Sequence, residues 1–266
     1  MSDRATESAA KDWDPGTYER FRDLRLRPAL DLLARVPGLP EGAVVDLGCG
    51  AGAAGPALRA RFPRAQIIGL DASAAMLARA EATGAYDALV RGDIGTWRPQ
   101  TPVALVFSNA ALHWLGDHER LLPRLADDHV PGGVLAVQMP GNFHAPSHAL
   151  LREVAARRFP DRFPAEGHVA PVCPARDYVS MLAPLGHVEG WETEYVQRLD
   201  PTPEGHPVRA FTESTAMRPF LARLTQDEAA SFVEDYDAAL AAAYPPEVDG
   251  SVLFPFRRIF FVFRRT

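Results

Sequence analysis

The sequence VVDLGCGAGAAGPAL, residues 44–58, joins an apolar run, an aspartate and three glycines at alternate positions. The run has the length of a strand, and the residues after the last glycine favour a helix. Glycines at such a junction let backbone N–H groups approach a ligand, and the helix N-terminus adds partial positive charge. The spacing also fits the dinucleotide pattern G-x-G-x-x-G/A, with Ala53 in the last position. The glycines therefore predict a nucleotide site without identifying the nucleotide, and the alternative is a tight turn that binds no ligand.

Apolar runs and helical segments alternate through the first half of the chain. Each run is continuously apolar, which is typical of strands that are covered on both faces in a parallel sheet. A sixth strand, a helical insert of about fifty residues and a last strand follow, with boundaries good to about 2–4 residues. The predicted strands cover 43–47, 65–71, 87–93, 103–109, 132–139, 187–199 and 251–266, and the insert covers 200–247. We therefore predict an α/β fold with a mostly parallel, seven-stranded sheet.

Two helix starts carry capping signals. Ser73 precedes the segment AAMLARAEA, where its hydroxyl can accept from a free backbone N–H of the first turn. Thr225 and Glu228 have the spacing of a capping box before another long helical segment. These signals predict helices that start directly after Ser73 and Thr225.

Composition and charge limit the partners and the compartment. The chain has 266 residues, of which 47% are hydrophobic, and this is enough for a folded core. Its net charge is −6, so we expect no overall attraction to nucleic acid or to an anionic membrane. Lys11 is the only lysine, which leaves arginine to bind any anion. Cys49 and Cys173 are too few for a disulfide framework, and no run reaches the ~18 apolar residues of a membrane span. We expect a cytoplasmic protein without nucleic acid or membrane partners.

Asp46 favours a nucleotide that carries a positively charged amino group over a dinucleotide, which carries a pyrophosphate. A carboxylate at the end of the first strand can meet a positively charged amino group, whereas it would repel a pyrophosphate. The resulting D-x-G-x-G-x-G pattern resembles the first motif of the class I S-adenosylmethionine-dependent methyltransferases. Asp71, at the end of the second strand, is placed to accept from ribose hydroxyls. A nicotinamide-dependent dehydrogenase is the alternative at this point.

Later segments resemble the same family. GDI (92–94) follows the third strand, SNAALHWL (108–115) the fourth, and PGGVLAV (131–137) leads into the fifth. The resemblance implies a Rossmann-like class I methyltransferase fold whose last strand, containing RRIFFVF (257–263), runs antiparallel. It also implies a polar contact to adenine after the third strand. The predicted cofactor-binding residues are Asp46, Gly48, Cys49, Gly50, Asp71, Ala72, Met76, Asp93, Ile94 and Asn109.

The flanking segments are similar to one branch of this family, the trans-aconitate 2-methyltransferases. The similarity covers nearly the whole chain, with gaps in the proline-rich loop 160–174. The segments are WDPGTYERFRDLRLRPALDLLARVP (13–37), NAALHWLGDH (109–118), VLAVQMPGN (134–142), MRPFL (217–221) and FRRIFFV (256–262). The resemblance implies that a methyl ester forms on one carboxylate of a small unsaturated tricarboxylic acid.

This chemistry needs positioning and no catalytic base. A carboxylate is already ionised at pH 7, so orientation and desolvation should suffice, and we predict neither a catalytic residue nor a metal site. Cations should bind the remaining carboxylates, and Arg218 and Arg258 lie in the matching motifs. Arg257 and Arg258 alternate faces of a strand, so at most one points to a given pocket wall. A solvated or ion-paired strand end is the alternative role.

Aromatic and amide side chains complete the predicted acid site. Trp13 and Tyr18 can cover the sulfonium through cation–π contacts, or they form a satellite apolar patch. We assign His113 to hydrogen bonding or shape, and a capped loop histidine is the alternative. The predicted substrate-binding residues are Trp13, Tyr18, His113, Trp114, Gln138, Asn142, Arg218 and Arg258.

We predict a single domain over 1–266 with four parts. They are an N-terminal helical lid segment (1–40), a cofactor-binding core (41–145), a helical substrate-side region with one strand (146–250) and the last strand (251–266). The expected cofactor is S-adenosylmethionine and the expected partner a small polycarboxylate, with no obligatory protein partner. The rival hypotheses are a methyltransferase for another small acid or hydroxyl, and a non-catalytic nucleotide-binding module.

Overall fold

The structure is a computed structural model that describes residues 22–167, 169–203, 205–213 and 215–266. Within these ranges seven strands form one sheet in the order β3-β2-β1-β4-β5-β7-β6. The strands are β1 (Ala43–Leu47), β2 (Ile67–Asp71), β3 (Ala88–Arg91), β4 (Val103–Asn109), β5 (His129–Pro140), β6 (Gly186–Leu199) and β7 (Val252–Arg265). The predicted α/β fold is confirmed. The predicted division into four parts stays a prediction, and residues 1–21 of the predicted lid lie outside the described residues.

The helices cover both faces of the sheet and build the insert before β7. They are α1 (Arg22–Arg35), α2 (Gly55–Arg61), α3 (Ala74–Glu81), α4 (His118–Asp127), α5 (Pro146–Arg158), α6 (Ala175–Leu182), α7 (Pro207–Glu213), α8 (Arg218–Leu221) and α9 (Gln226–Ala243). Short 3-10 turns span Leu112–Trp114 and Ala183–Leu185. The capping signals are confirmed, because Ser73 accepts from the Met76 N–H at 3.3 Å and Thr225 forms a complete capping box with Glu228.

The last strand runs antiparallel to both of its neighbours. β1 to β5 pair in parallel, whereas β7 pairs antiparallel with β5 on one side and with β6 on the other. The antiparallel last strand and the helical insert are therefore confirmed. The position of β7 inside the sheet, between β5 and β6, has no counterpart in the sequence prediction. It places the start of β7 at the edge where β4 and β5 end.

The strand β5 is longer than predicted, since it begins at His129 and not at 132. A register shift separates the pair Val103–His129 from the pair Leu105–Val134, so the extra residues form an irregular start. The ring of His129 fixes this start, because its Nε2 accepts from the Val106 N–H at 3.2 Å. β3 is shorter than predicted and spans only 88–91.

β7 contributes to three apolar cores. Its second half packs on both faces of the sheet, through Phe261 and Phe263 on one face and through Phe260 on the other. Its first half packs through Phe254 and Phe256 into a separate core of the helical region, built from α5, α7 and α9. Arg257 and Arg258 lie between these two halves of the strand. Among the described residues, no helix is long and apolar enough to cross a membrane.

Candidate active site

The glycine loop after β1 is tightly packed at Gly48 and has empty space beside Gly50. Gly48 has φ +79°, and a Cβ there would lie 2.3 Å from the Ala111 Cβ, so the loop packs against the turn after β4. Gly50 has φ +54°, and a Cβ there would meet no atom within 4 Å. Left-handed backbone favours glycine at both positions. The space beside Gly50 is where a ligand can contact the backbone.

Asp71 at the end of β2 is held against this loop. Its Oδ2 accepts from the Gly50 N–H and its Oδ1 from the Ser73 N–H, each at 2.9 Å. A carboxylate oxygen can accept more than one hydrogen bond, so both oxygens keep capacity for hydroxyl donors. The placement fits the recognition of a ribose diol.

Asp46 lies below the loop at the end of β1 and is only 2% exposed. Its Oδ2 accepts from the hydroxyl of Tyr86 at 2.7 Å. Burial raises the pKa of Asp46 to about 7, the hydrogen bond from Tyr86 opposes that rise, and the charge of Asp71 adds to it. A bound ammonium group would stabilise the ionised form of this carboxylate.

Five other predicted cofactor residues lie on this loop or follow β2 and β3 in the chain. Cys49 packs its side chain against Leu77 and Ala80, and burial raises the pKa of its thiol, so the group stays neutral. The Ile94 Cδ1 atom lies 3.2 Å from the Cβ position of Gly48, next to the loop. Asp93 accepts from the Gly95 N–H at 2.8 Å. Ala72 and Met76 flank the cap Ser73 at the start of α3.

A cavity of about 610 Å³ lies beside this cofactor edge, where β4 and β5 end and β7 begins. Its polar and charged lining residues are Asn109, His113, Asn142, His144, His148, Cys173, Thr215, Arg257 and Arg258, with Trp114 at the surface. No described lining residue is acidic. The cavity is therefore suited to an anion.

Arg258 supplies buried positive charge to this cavity. It is 4% exposed, and its Cζ lies 4.3 Å from the centroid of the Phe256 ring. Arg257 also contributes to the lining, but its side chain is 51% exposed and forms an ion pair with Glu192. The two side chains differ in burial although both line the cavity, so the expectation that at most one of them points to a given pocket wall stays a prediction. A desolvated guanidinium attracts a carboxylate more strongly than a solvated one, so Arg258 is the stronger candidate.

Three side chains at the cavity leave buried polar atoms without a hydrogen-bond partner among the described residues. They are Oδ1 of Asn109, Nδ1 of His113 and Nδ2 of Asn142. Asn142 is fixed through its Oδ1, which accepts from the Arg257 N–H at 2.8 Å. Buried polar atoms are rarely left unsatisfied, so these three atoms are available to hydrogen-bond water or a polar ligand in the cavity.

His113 is a neutral group in this arrangement. Burial lowers its pKa to about 3, and the charges of Arg258 and His118 contribute in the same direction. An imidazole with this pKa can donate or accept a hydrogen bond at pH 7 but carries no charge. The role of hydrogen bonding or shape stays a prediction.

The remaining predicted substrate residues are not all brought to the cavity. Trp114 is 59% exposed at its rim, next to the ring of His113. Arg218 begins α8, and Gln138 is fully buried beside Asn109, but neither is among the described residues that line the cavity. The prediction for Trp13 and Tyr18 concerns positions outside the described residues.

Two residues with polar roles were absent from the sequence prediction. His148, in the first turn of α5, lines the cavity, and its Nδ1 lies 3.0 Å from the Ser147 Oγ. Burial lowers the pKa of His148 to about 4, with a further contribution from Arg152. Tyr86 contacts Asp46 from a loop that precedes β3. Neither residue belongs to a recognisable motif. Each reaches the site through contacts between segments that are distant in the sequence, which no local pattern indicates.

No group of three or more His, Cys, Asp and Glu side chains in the described ranges is arranged to hold a metal ion. The site therefore offers a carboxylate-rich edge at the glycine loop and an arginine-containing cavity with neutral hydrogen-bonding groups.

Known sequences resemble this chain along nearly its whole length. A family model described as a methyltransferase domain matches residues 44–133. A trans-aconitate 2-methyltransferase from Methylobacterium nodulans is 44% identical over 264 residues, which cover 96% of this chain and 99% of the relative. Another from Azoarcus sp. is 41% identical and covers 94% of this chain and 98% of the relative.

Solved structures resemble the fold at low identity. The YcgJ protein from Bacillus subtilis has a TM-score of 0.55 at 15% identity and covers 90% of this chain and 98% of its own. A Haemonchus contortus phosphoethanolamine N-methyltransferase 2, solved with S-adenosylhomocysteine, has a TM-score of 0.55 at 16% identity and covers 98% of this chain and 59% of its own. At these identities the likeness concerns the fold alone.

Proposed function

The chain belongs to the trans-aconitate 2-methyltransferase family, and from this premise we propose that it methylates one carboxylate of trans-aconitate. Membership makes the chain an S-adenosylmethionine-dependent methyltransferase, so the cofactor and the type of reaction follow directly. The identity of the acid is the part that we propose. The observation that supports it most is the buried Arg258 in a cavity where none of the described lining residues is acidic.

The residues at the glycine loop fit the cofactor. Asp71 can accept from the ribose hydroxyls, Asp46 can face the amino group, and the open space beside Gly50 lets the ligand approach the backbone. When bound, S-adenosylmethionine supplies an electrophilic methyl group on a sulfonium. The negative edge formed by the two aspartates matches the positive charge of that ligand.

The cavity residues bind and orient the acid. Arg258 is proposed to hold one carboxylate that is not methylated, and Asn142 to donate through its Nδ2, which has no hydrogen-bond partner among the described residues. The reacting carboxylate is ionised at pH 7, so no side chain has to remove a proton from it. Neutral His113 therefore contributes a hydrogen bond and not base catalysis.

Apolar side chains around the arginine exclude water from the reacting groups. Phe211, Phe256 and Ile259 are largely buried and line the cavity together with Arg258. In such surroundings the attraction between guanidinium and carboxylate is stronger than in water. These residues would hold the reacting carboxylate, shielded from water, against the methyl group that bound S-adenosylmethionine would supply. Transfer would neutralise that carboxylate and the sulfonium, so a dry cavity would favour it.

The test is a methyl-transfer assay on a panel of small acids. The purified chain is incubated with labelled S-adenosylmethionine and with trans-aconitate, other di- and tricarboxylates, a monocarboxylate and a hydroxylated compound without carboxylate. We expect a methyl ester of trans-aconitate, identified by mass, at the highest kcat/KM in the panel. No ester on any acid would contradict the proposal, and transfer only to the hydroxylated compound would favour the rival methyltransferase.

Three further proposals concern the location of the protein in the cell, its class of ligand and its partners. We propose a cytoplasmic location, a small polycarboxylate as the ligand, and action without an obligatory protein, nucleic acid or membrane partner. Two free cysteines and the net charge of −6 support these proposals. Detection of the chain in fractionated cells tests the location. Its mass in solution tests whether it acts without an obligatory protein partner.

A further inference from the structure

Tyr86 fills the space directly beneath the glycine loop. A Cβ at Gly52 would lie 3.0 Å from its ring, one at Gly55 2.7 Å, and one at Gly69 of β2 3.0 Å. Three glycines therefore leave room for a single aromatic ring between the loop, α2 and the sheet. The packing fixes where the hydroxyl of Tyr86 lies.

That hydroxyl donates to the Oδ2 of Asp46 at 2.7 Å. Burial raises the pKa of Tyr86, and the charge of Asp46 raises it further, so the phenol remains a neutral donor. No described residue forms an ion pair with Asp46, whose charged or titratable neighbours are Asp71 on β2, Cys49 on the loop and Tyr86 itself. A buried carboxylate without a cation needs such a donor to stay ionised.

We infer that Tyr86 is a positioning residue that keeps Asp46 ionised and directed toward the amino group of the cofactor. The inference rests on the role of Asp46 in the proposed function. It makes the hydroxyl of Tyr86, and not only its ring, part of cofactor recognition. It also makes cofactor affinity sensitive to pH near neutrality.

The direction of this sensitivity follows from the charge of Asp46. Its pKa is raised to about 7, so the carboxyl group gains a proton and loses its attraction for an ammonium group as pH falls through that value. Removal of the Tyr86 hydroxyl takes away the contribution that lowers this pKa. In Tyr86→Phe the loss of affinity should therefore begin at a higher pH than in the wild type.

The experiment is calorimetric binding of S-adenosylhomocysteine between about pH 5.5 and 8, where its amino group and the arginines keep their charge. For the wild type we expect affinity to fall about tenfold per pH unit below a midpoint near 7. For Tyr86→Phe we expect the midpoint to move to higher pH, with an affinity loss of about tenfold at pH 7 that shrinks at pH 8. Tyr236→Phe is the matched control, because it removes a buried hydroxyl that donates to the Ser147 carbonyl at 2.6 Å in the helical core. Its profile should match the wild type.

Several outcomes would overturn the inference. A loss of affinity in Tyr86→Phe that is equal at every pH would assign the residue a structural role. A flat wild-type profile, or a pH-dependent profile in Asp46→Asn, would show that Asp46 does not titrate against the ligand, and neither result requires Tyr86→Phe to fold. Binding of S-adenosylhomocysteine does not need the acid, so failure to methylate trans-aconitate would contradict the proposed function and leave this inference standing.

Discussion

The cofactor edge and the acid cavity are built in opposite ways. The edge carries carboxylates, Asp46 and Asp71, and its residues follow one another closely along β1, β2 and their loops. The cavity carries arginines and neutral polar groups, and its residues come from positions 109 to 259. Each region has the charge opposite to its proposed ligand. One domain can therefore hold a cation and a polyanion side by side, because their binding groups come from different strand ends.

Loss of Arg258 should have the largest effect and should be confined to the acid. We expect Arg258→Ala to raise the KM for trans-aconitate about 100-fold, or about 2.7 kcal/mol, because a buried carboxylate loses its charged partner. The dissociation constant of S-adenosylhomocysteine, measured by calorimetry, should stay within about twofold. Arg257→Ala is the control, and its half-exposed pair with Glu192 predicts a change of about threefold or less. Equal loss of acid and cofactor binding in Arg258→Ala would assign that residue to the fold.

Loss of Asp71 should have the next largest effect, on the cofactor side. Asp71→Ala removes the acceptor of the Gly50 and Ser73 N–H groups and the proposed ribose contact. We expect the dissociation constant of S-adenosylhomocysteine to rise about 30-fold, or about 2 kcal/mol. Asp87→Ala is matched, since that carboxylate also accepts a backbone N–H, from Ile67 at 2.7 Å, at the opposite edge of the sheet. If both variants weakened cofactor binding equally, the assignment of Asp71 would be wrong.

His148 should have a smaller effect, on the acid alone. It lines the cavity as a neutral imidazole whose pKa is lowered to about 4. His148→Ala should raise the KM for trans-aconitate about fivefold, or about 1 kcal/mol, through loss of one hydrogen bond. His148→Gln keeps an N–H donor and should restore most of the affinity. An unchanged KM in both variants would remove His148 from the site.

The pH dependence of acid binding should be the smallest effect of all. Burial lowers the pKa of His113 to about 3 and of His148 to about 4, so both histidines gain a proton only at pH values near those figures. At saturating cofactor, and with the third lining histidine replaced in His144→Asn, the KM for trans-aconitate should therefore be flat between about pH 6 and 8, where the carboxylates and arginines keep their charge. A step near pH 6.5 would show that an ordinary histidine titrates in the acid site. The flat profile would contrast with the pH-dependent cofactor binding expected from Asp46.

The fold was largely predictable because its signals are local. Continuous apolar runs predicted the strands, and β4 has the predicted bounds 103–109. Ser73 and Thr225 predicted two helix starts through hydrogen bonds made within one turn. The bounds of β5 were wrong because its first residues pair with β4 only through a register shift, which no local pattern indicates. The position of β7 between β5 and β6 depends on pairing between distant segments.

The candidate site was predictable to different degrees in its two halves. The loop from Asp46 to Gly52, together with Asp71 at the end of β2, indicated the class of cofactor, because three glycines and two carboxylates act through backbone conformation and charge within a few residues of a strand end. The acid side came from resemblance, and Arg218 shows its limit, since that arginine is not among the described residues lining the cavity. Tyr86 and His148 had no sequence signal, because neither has a periodic pattern or a motif around it.

The sequence pattern was therefore sufficient for the strand–loop–helix unit and the class of cofactor, whereas the antiparallel end of the sheet was predicted from the resemblance to a known family. Folding in three dimensions was needed to bury Arg258 while Arg257 pairs with Glu192 at the surface. It was also needed to place Tyr86 beneath the loop and to close a cavity between β4, β5, β7 and the helical insert. The physical reason is that backbone conformation and strand burial depend on neighbouring residues. The burial of a charge and the shape of a cavity depend instead on which distant side chains displace water.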